Sequence, residues 1–178
     1  FNSLSKKLDY YELEYYIPTL DLNFGQISIV KLAKNLDDLI NKKYGKKREI
    51  DILGFSMGGI ISRYWIQNFN GYTRTKRFIT VGSPHQGTLS AQLVPSYLLM
   101  GISEMKLNSP LLKELSECDY LLEEIDCISF YTKWDLMVFP GWRAHLPFGK
   151  KFSLNIYKHR NLVKNSTAIN AIVNSIIT

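Results

Sequence analysis

A glycine-flanked serine between a strand pattern and a helix pattern constrains this chain more than any other feature. The apolar run at residues 50–53 is followed by Gly54-Phe55-Ser56-Met57-Gly58-Gly59 and then by helical spacing of apolar residues. Such a G-x-S-x-G sequence predicts a nucleophile elbow, in which the serine takes a strained backbone with positive φ and glycines two positions away avoid collision. The Met57 N–H would then face an oxyanion. The alternative is a glycine-rich turn with a solvated serine.

Strand and helix patterns alternate along the chain. Apolar spacing predicts helices over about 1–8, 26–44, 57–68 and 165–177, and strands over about 10–17, 49–53, 76–81, 126–132 and 152–157. This alternation predicts an α/β protein with a mostly parallel sheet covered by helices on both faces. We expect a single domain over residues 1–178, with a cap- or lid-like insertion at about 87–124.

Composition is compatible with one globular core. The chain has 178 residues, of which 46% are hydrophobic, and no apolar run reaches the ~18 residues that a transmembrane helix needs. No signal-peptide pattern opens the sequence, although it begins with Phe1 rather than methionine. We expect a cytoplasmic or organellar location rather than secretion. Abundant Lys, Asn, Ile and Tyr with few Ala is typical of a low-GC bacterial or organellar genome.

Positive charge and two cysteines give limited information about partners. The formal net charge is +6, and a cluster of basic residues, Lys42-Lys43-Tyr44-Gly45-Lys46-Lys47-Arg48, lies at the predicted end of a helix. A solvated helix end with Gly45 as C-cap explains it, and attraction to anionic lipid is the alternative. No nucleic-acid motif accompanies the cluster, so we expect no nucleic-acid partner. Cys118 and Cys127 have no redox or metal-ligand spacing and are expected to be free thiols.

Three side chains of an acyl-transfer site follow predicted strands. They occur in the order Ser56, Asp135 and His159, and the carboxyl ends of parallel strands meet at one sheet edge. In this hypothesis His159 takes the proton of Ser56 and returns one to the leaving group, while Asp135 fixes the imidazole tautomer. No metal ion or organic cofactor is needed.

The same residues resemble a known family. Gly54-Phe55-Ser56-Met57-Gly58-Gly59, followed by Gly82-Ser83-Pro84-His85-Gln86-Gly87-Thr88, is similar to the lipase/esterase branch of the α/β-hydrolases. Asp135-Leu136-Met137-Val138-Phe139-Pro140 resembles the acid loop of that branch, and His159-Arg160-Asn161-Leu162 resembles its histidine segment. Phe55 replaces the more usual histidine, which alters the pocket floor, and Lys158 replaces the glycine that usually precedes the histidine.

The resemblance also implies a missing part. In the family, a strand and an H-G loop that supplies the second oxyanion N–H precede the first helix, and this sequence begins inside that helix. That strand lies between the strand predicted here at 10–17 and the elbow strand. We therefore expect an N-terminally truncated α/β-hydrolase fold. The alternative is a degenerate hydrolase with a rearranged sheet and weak activity.

Other residues compete for the same roles. His85 follows a strand, but the resemblance gives its segment a supporting role at the pocket rim, and His145 is expected to be a loop histidine. Asp126 begins a strand and Asp119 lies in the insertion, so neither suits the acid. The apolar segment 89–105 is either a lid that opens against lipid or a permanently packed cap. Three aromatic residues near the acid either line an acyl pocket or belong to the core: Trp134, Phe139 and Trp142.

Two classes of function remain open from the sequence. The first is a serine hydrolase of carboxylic esters, with lipid-like acyl esters as substrates and transient contact with a membrane surface. An acyltransferase or a thioesterase would use the same Ser56, Asp135 and His159. The second class is a non-catalytic, hydrolase-like binding protein, which applies if the missing N-terminal part is truly absent.

Overall fold

A four-stranded parallel sheet forms the centre of the protein. The computed structural model describes residues 2–95, 97 and 99–177, apart from the side chain of Phe24. The strands lie in the order β1 (Ile50–Phe55), β2 (Thr75–Val81), β3 (Asp126–Tyr131) and β4 (Lys150–Ser153), and each neighbouring pair is parallel. All four strands therefore end at one edge, called the carboxyl edge below. This architecture confirms the predicted α/β class with a parallel sheet.

Helices follow the predicted pattern closely. They are α1 (Asn2–Tyr10), α2 (Ile29–Tyr44), α3 (Met57–Asn68), α4 (Met100–Ser103), α5 (Pro110–Glu117) and α6 (Ser166–Ile177). The Ser28 hydroxyl accepts the Lys31 N–H at 3.2 Å and caps the start of α2. Gly45 ends that helix with φ 70°, as predicted for a C-cap residue. Phe1, at the start of the first predicted helix, lies outside the described residues.

Helices cover both faces of the sheet, as predicted. On one face α2 and α3 pack over Phe78 with Leu32, Leu36, Ile61 and Trp65 buried between them. On the other face α1 and α6 pack over β2 and β3. The buried side chains of that second core include Leu4, Ile79, Val81, Ile128, Phe130, Ile172 and Val173.

The strand predicted over 10–17 is wrong. Residues as far as Tyr10 belong to α1, and the Leu13 N–H turns back to the Leu8 carbonyl at 3.1 Å. Residues 13–22 join no strand ladder. The tyrosines of this segment pack locally instead, as Tyr16 does edge-on against Tyr44 at 6.2 Å. Aromatic and apolar residues thus imitated a strand in a segment that pairs with none of the four strands of the sheet.

The fourth strand is shorter and earlier than the predicted 152–157. Gly149, with φ 74°, leads into β4, and a Cβ there would lie 2.4 Å from the Cys127 carbonyl oxygen. The pairing of β4 with β3 stops at the end of β3. The Leu154 N–H donates to the carbonyl of Tyr131, the last residue of β3, at 2.7 Å. Beyond that point a side chain takes over, since the Thr132 hydroxyl donates to the Ile156 carbonyl at 2.7 Å. The end of its partner therefore sets the end of β4.

A large apolar cleft runs along the free edge of β1. No strand among the described residues pairs with that edge, and residues 13–18 form the opposite wall. The cleft has a volume of about 1180 Å³ and extends from Ile40 and Tyr44 to Ser56 and His159 at the carboxyl edge. A single opening therefore connects the sheet edge with the serine and the histidine.

The insertion at 87–124 contains α4, α5 and two short 3₁₀ turns. Its Gly101 packs closely, since a Cβ there would lie 2.5 Å from the Ile27 carbonyl oxygen. Leu93 and Tyr97 point to solvent, and Ser96 and Leu98 lie outside the described residues. Whether the apolar segment 89–105 is a lid or a permanently packed cap therefore stays a prediction. Within the described ranges, none of the helices has the length and apolar character required to span a membrane.

Candidate active site

Ser56 sits at a strained turn between β1 and α3. Its φ is 54° and its ψ is −128°, which confirms the positive φ predicted for an elbow. The Ser56 N–H donates to the Val81 carbonyl at 2.9 Å, so β2 holds the turn in place. A non-glycine residue in such a region costs about 1–3 kcal/mol and persists only where its surroundings impose it.

Close packing at the elbow requires two glycines, but one differs from the expected pair. A Cβ on Gly54 would lie 2.5 Å from the Gly59 Cα, and a Cβ on Gly59 would lie 2.0 Å from the Ser83 Oγ. A Cβ on Gly58 would meet nothing within 4 Å. The expectation that glycine is needed two residues after the serine is therefore wrong. The close contacts fall one residue later, where α3 crosses β1 and the loop after β2.

Met57 is the first residue of α3, so its N–H has no acceptor within the helix. This N–H also lies at the positive end of the helix dipole. Met57 lines the cleft together with Ser56. Its role as an oxyanion donor stays a prediction.

Asp135 lies in a tight loop after β3 and is 1% exposed. Its Oδ1 accepts the N–H groups of Met137 at 2.9 Å and Val138 at 3.0 Å. Its Oδ2 lies 2.7 Å from the Nδ1 of His159. One carboxylate oxygen therefore organises the loop, and the other is directed at the imidazole.

His159 follows Lys158, which has φ 70°, and begins a 3₁₀ turn. With Nδ1 directed at Asp135, its Nε2 is buried and has no hydrogen-bond partner in the described part of the chain. The structure thus places Asp135 and His159 together and leaves the Ser56–His159 hydrogen bond unmade. Both Ser56 and His159 line the cleft.

Two neighbours fix the imidazole ring of His159. The Phe55 ring lies 4.8 Å away with a tilt of 30°, and a Cβ on Gly82 would lie 3.0 Å from the His159 Cε1. Gly82 has φ 57°, a conformation that favours glycine, and its lack of a side chain lets the His159 ring pack closely against it. Phe55, noted in the sequence as a departure from the family, therefore contacts the histidine itself.

The rival residues lie elsewhere. His85 itself is 2% exposed and packs edge-on to Phe78 beside α3. Pro84 and Thr88 of the same segment line the cleft, in agreement with the supporting role expected for the segment. His145 directs Nδ1 to the Leu146 carbonyl at 2.7 Å, as expected of a loop histidine. Asp126, at the start of β3, lies beside Lys150 at the opposite sheet edge.

A buried polar network next to His85 was missed by sequence reasoning. Arg63 on α3 is 1% exposed, pairs with Asp119 at 2.6 Å and donates to the His85 carbonyl at 3.3 Å. Burial lowers the pKa of Arg63 and holds the pKa of His85 well below its ordinary value, with the Arg63 and His145 charges adding to the effect on His85. In the sequence, Arg63 looks like an ordinary exposed charge on a helix, so the apolar spacing of α3 did not predict its burial.

The aromatic residues beside the acid match neither expected role. Trp134, Phe139 and Trp142 are each about half exposed, and none of them lines the cleft. The acid loop instead turns Met137 and Val138 toward the cleft. The apolar residues near Asp135 therefore fall into two groups, one that lines the cleft and one that is exposed on the outer surface.

Cys118 and Cys127 are free, and burial raises the pKa of Cys127 to about 12. The ranges that the structure describes contain no group of three or more His, Cys, Asp or Glu residues able to hold a metal ion.

Solved structures with the same fold are lipases and related hydrolases. The mature lipase BlEst2 of Bacillus licheniformis aligns with a TM-score of 0.63 and 17% identity over 82% of this chain and 71% of its own. Lipase B of Aspergillus fumigatus aligns with a TM-score of 0.70 and 15% identity, over 86% of this chain and 42% of its own. An extracellular α/β-hydrolase from a Paenibacillus species aligns with a TM-score of 0.62 and 14% identity, over 97% of this chain and 90% of its own. These likenesses show the α/β-hydrolase fold.

Sequence comparison identifies the family. No curated protein sequence matches the chain. The family model for palmitoyl protein thioesterases matches residues 22–135, which is more than half of the chain and runs from the approach to α2 through the elbow to Asp135. The chain therefore belongs to the palmitoyl protein thioesterase family.

Proposed function

We propose that this protein is a serine hydrolase that cleaves lipid-like acyl esters through an acyl-enzyme on Ser56. One observation carries the proposal. His159 Nδ1 lies 2.7 Å from Asp135 Oδ2, while its buried Nε2 is unpaired and the ring shares a cleft with Ser56. A buried imidazole with one nitrogen anchored and the other unpaired is arranged to receive a proton.

The chemistry divides among the three side chains. His159 Nε2 takes the Ser56 hydroxyl proton as the oxygen attacks the acyl carbonyl, and the Met57 N–H stabilises the resulting oxyanion. The protonated imidazole gives that proton to the leaving alcohol. Water then attacks the acyl-enzyme by the same route and releases the acid. Asp135 holds the ring and stabilises the imidazolium, without itself accepting the proton.

The cleft supports an acyl chain as the group that is bound. Only the part of the cleft beside Ser56 bears on acyl binding, because its long part follows the unpaired edge of β1, where the resemblance to the α/β-hydrolases implies a further strand. Near the serine its lining is apolar, with Met57, Val94, Ile102, Met137 and Val138. Burying each methylene of a chain there contributes about 0.8 kcal/mol.

Family membership favours a thioester as a second candidate substrate. The family takes its name from palmitoyl protein thioesterases, and the same acyl-enzyme forms whether the leaving group is an alcohol or a thiol. An acyltransferase would differ only in the acceptor of the second step. The nature of the leaving group and of the acceptor is therefore a separate question from the identity of the nucleophile.

Two measurements test the proposal. A fluorophosphonate probe should label the wild-type protein and not the Ser56→Ala variant. Turnover of p-nitrophenyl acyl esters and of matched acyl thioesters, with and without added alcohol, then separates esterase, thioesterase and transferase activities. Absence of both labelling and turnover in a protein that melts cooperatively would favour the non-catalytic binding protein.

A further inference from the structure

Exposed apolar side chains concentrate at the carboxyl edge of the sheet. The three most exposed aliphatic side chains in the described ranges are Leu93, Leu136 and Met137, at 89%, 80% and 63%. Trp134 and Tyr157 are exposed as well. We call these five residues the apolar rim. Exposure of so many large apolar groups in one place is uncommon on a soluble surface and marks an interaction site.

Hydrogen bonds and stacking join the three segments that form the apolar rim. The Ser90 hydroxyl donates to the Leu136 carbonyl at 2.8 Å, and the Leu89 N–H donates to the Phe139 carbonyl at 2.9 Å. The Trp134 ring stacks on the Tyr157 ring at 5.7 Å. The segment after β2, the acid loop and the approach to His159 therefore present one continuous surface.

The sequence that carries the acid loop and His159 is rich in positive charge. Residues 131–165 contain seven Lys or Arg and one acidic residue, Asp135, although Lys150 pairs with Asp126 at the opposite sheet edge. Lys133, Lys158 and Arg160 are exposed beside the rim and make no ion pair within the described ranges.

We propose that the apolar rim and its three flanking cations dock the protein on a lipid bilayer with anionic headgroups. Leu93, Leu136 and Met137 would enter the boundary between headgroups and acyl chains, and Trp134 and Tyr157 would lie at headgroup level. The cations would contact lipid phosphates. Met137 of the rim and Arg160 of the flanking cations also line the cleft that holds Ser56 and His159, so docking brings this end of the cleft close to the membrane.

The cations beside the apolar rim favour a bilayer over a second copy of the chain or a nucleic acid as the partner of this face. A second copy would set one group of cations against the other, and like charges at an interface are repulsive. A nucleic acid would satisfy the cations, but it would leave Leu93 and Leu136 against phosphate or water. The basic residues at the end of α2 lie at the opposite sheet edge and are partly engaged, since Arg48 pairs with Glu14 at 2.8 Å.

Vesicle co-sedimentation tests the docking face without any turnover, so its outcome is independent of the proposed hydrolase activity. Wild-type protein should bind vesicles containing about 30% phosphatidylserine at least about tenfold more tightly than pure phosphatidylcholine vesicles. The double variant Lys133→Gln/Lys158→Gln should bind them about 25-fold more weakly, because each basic residue contributes about fivefold. The matched control Lys42→Gln/Lys47→Gln, at the opposite edge, should stay within about twofold of wild type.

A second pair of variants tests the apolar contribution. Leu93→Gln/Leu136→Gln should weaken binding to the anionic vesicles and abolish the blue shift of tryptophan fluorescence that accompanies insertion, whereas Val30→Gln on α2 should change neither. Equal binding to both vesicle types, or equal losses in the Lys42→Gln/Lys47→Gln control, would overturn the proposal. So would a dimer that Leu136→Gln dissociates, or binding to single-stranded DNA in place of vesicles.

Discussion

The Thr88 hydroxyl accepts the Phe139 N–H at 2.9 Å and so ties the segment after β2 to the loop that carries Asp135. The same oxygen lies 3.2 Å from the Met137 carbonyl, to which it can donate. Thr88 is 4% exposed, so these bonds are made away from water. Asp135 depends on this loop for its orientation, and Thr88 is therefore a positioning residue for Asp135 and His159.

Replacing Thr88 by valine should lower the turnover number. The change keeps the shape of the side chain and leaves the Phe139 N–H without its acceptor, so the acid loop loosens and the Asp135–His159 pair is less well held. We expect kcat for acyl esters to fall about tenfold or more with KM little changed, and Thr88→Ser to restore it.

Thr75→Val is the matched control for Thr88→Val. Thr75 is also buried, at 5% exposure, and its hydroxyl donates to the Gly71 carbonyl at 2.9 Å at the opposite end of β2. Both valine variants should lose about 1–3 kcal/mol of unfolding free energy. A purely structural role for Thr88 predicts equal activity in the two variants, and that result would contradict the positioning role.

Gly59→Ala should destabilise the fold far more than Gly58→Ala. The added methyl at residue 59 would lie 2.0 Å from the Ser83 Oγ and 2.5 Å from its Cβ, whereas a methyl at residue 58 meets open space. We expect a loss of about 3 kcal/mol or more for Gly59→Ala and under about 1 kcal/mol for Gly58→Ala. Ser83→Gly in the Gly59→Ala background removes both clashing atoms and should recover most of the loss in thermal melts. If the double variant recovers no stability, the clash with Ser83 is not the cause of the loss in Gly59→Ala.

Acid should destabilise the protein in part through His85. Its pKa in the folded state is held well below the ordinary value by burial, so the folded protein binds fewer protons there than the unfolded chain. The resulting stability is present above the ordinary histidine pKa of about 6.5 and is lost progressively as the pH falls below it. His85→Leu should therefore flatten the dependence of unfolding free energy on pH between 7 and 5.

His145→Leu is the control for His85→Leu, because that ring is half-buried and close to the Leu146 carbonyl. Urea unfolding at pH 7, 6 and 5 measures all three proteins. If His145→Leu flattens the curve and His85→Leu does not, the buried histidine is not the source of the pH dependence.

The proposed acyl-transfer residues should act as a unit. Ser56→Ala and His159→Ala should each lower ester turnover by several orders of magnitude, and the double variant should lose little more than either. Steady-state rates with p-nitrophenyl esters measure all three. Additive losses would indicate that Ser56 and His159 act in separate steps.

Periodicity and turn chemistry identified most of the fold. The bounds predicted for α3 agree with the structure, and those for α2, α6 and the strands β1 to β3 agree within a few residues. Apolar periodicity in the helices and apolar runs in the strands are the patterns that identified them. The two failures have physical reasons. Aromatic and apolar residues at 10–17 imitate a strand but pair with none of the four strands of the sheet, and the end of β3 shortens β4.

By itself the sequence determined the order of elements and the strained serine, because glycine positions and apolar spacing act over a few residues. The positions of Asp135 and His159 after two predicted strands predicted that they would meet at one sheet edge, and the fold brings them into contact. Only the tertiary structure decided that Gly59 rather than Gly58 is sterically required, that Arg63 and His85 are buried together, and that Phe55 packs on the histidine. Those relationships join residues that are distant in sequence. Their contacts depend on where α3 crosses the sheet and on which loops meet at the carboxyl edge, and no local pattern encodes either.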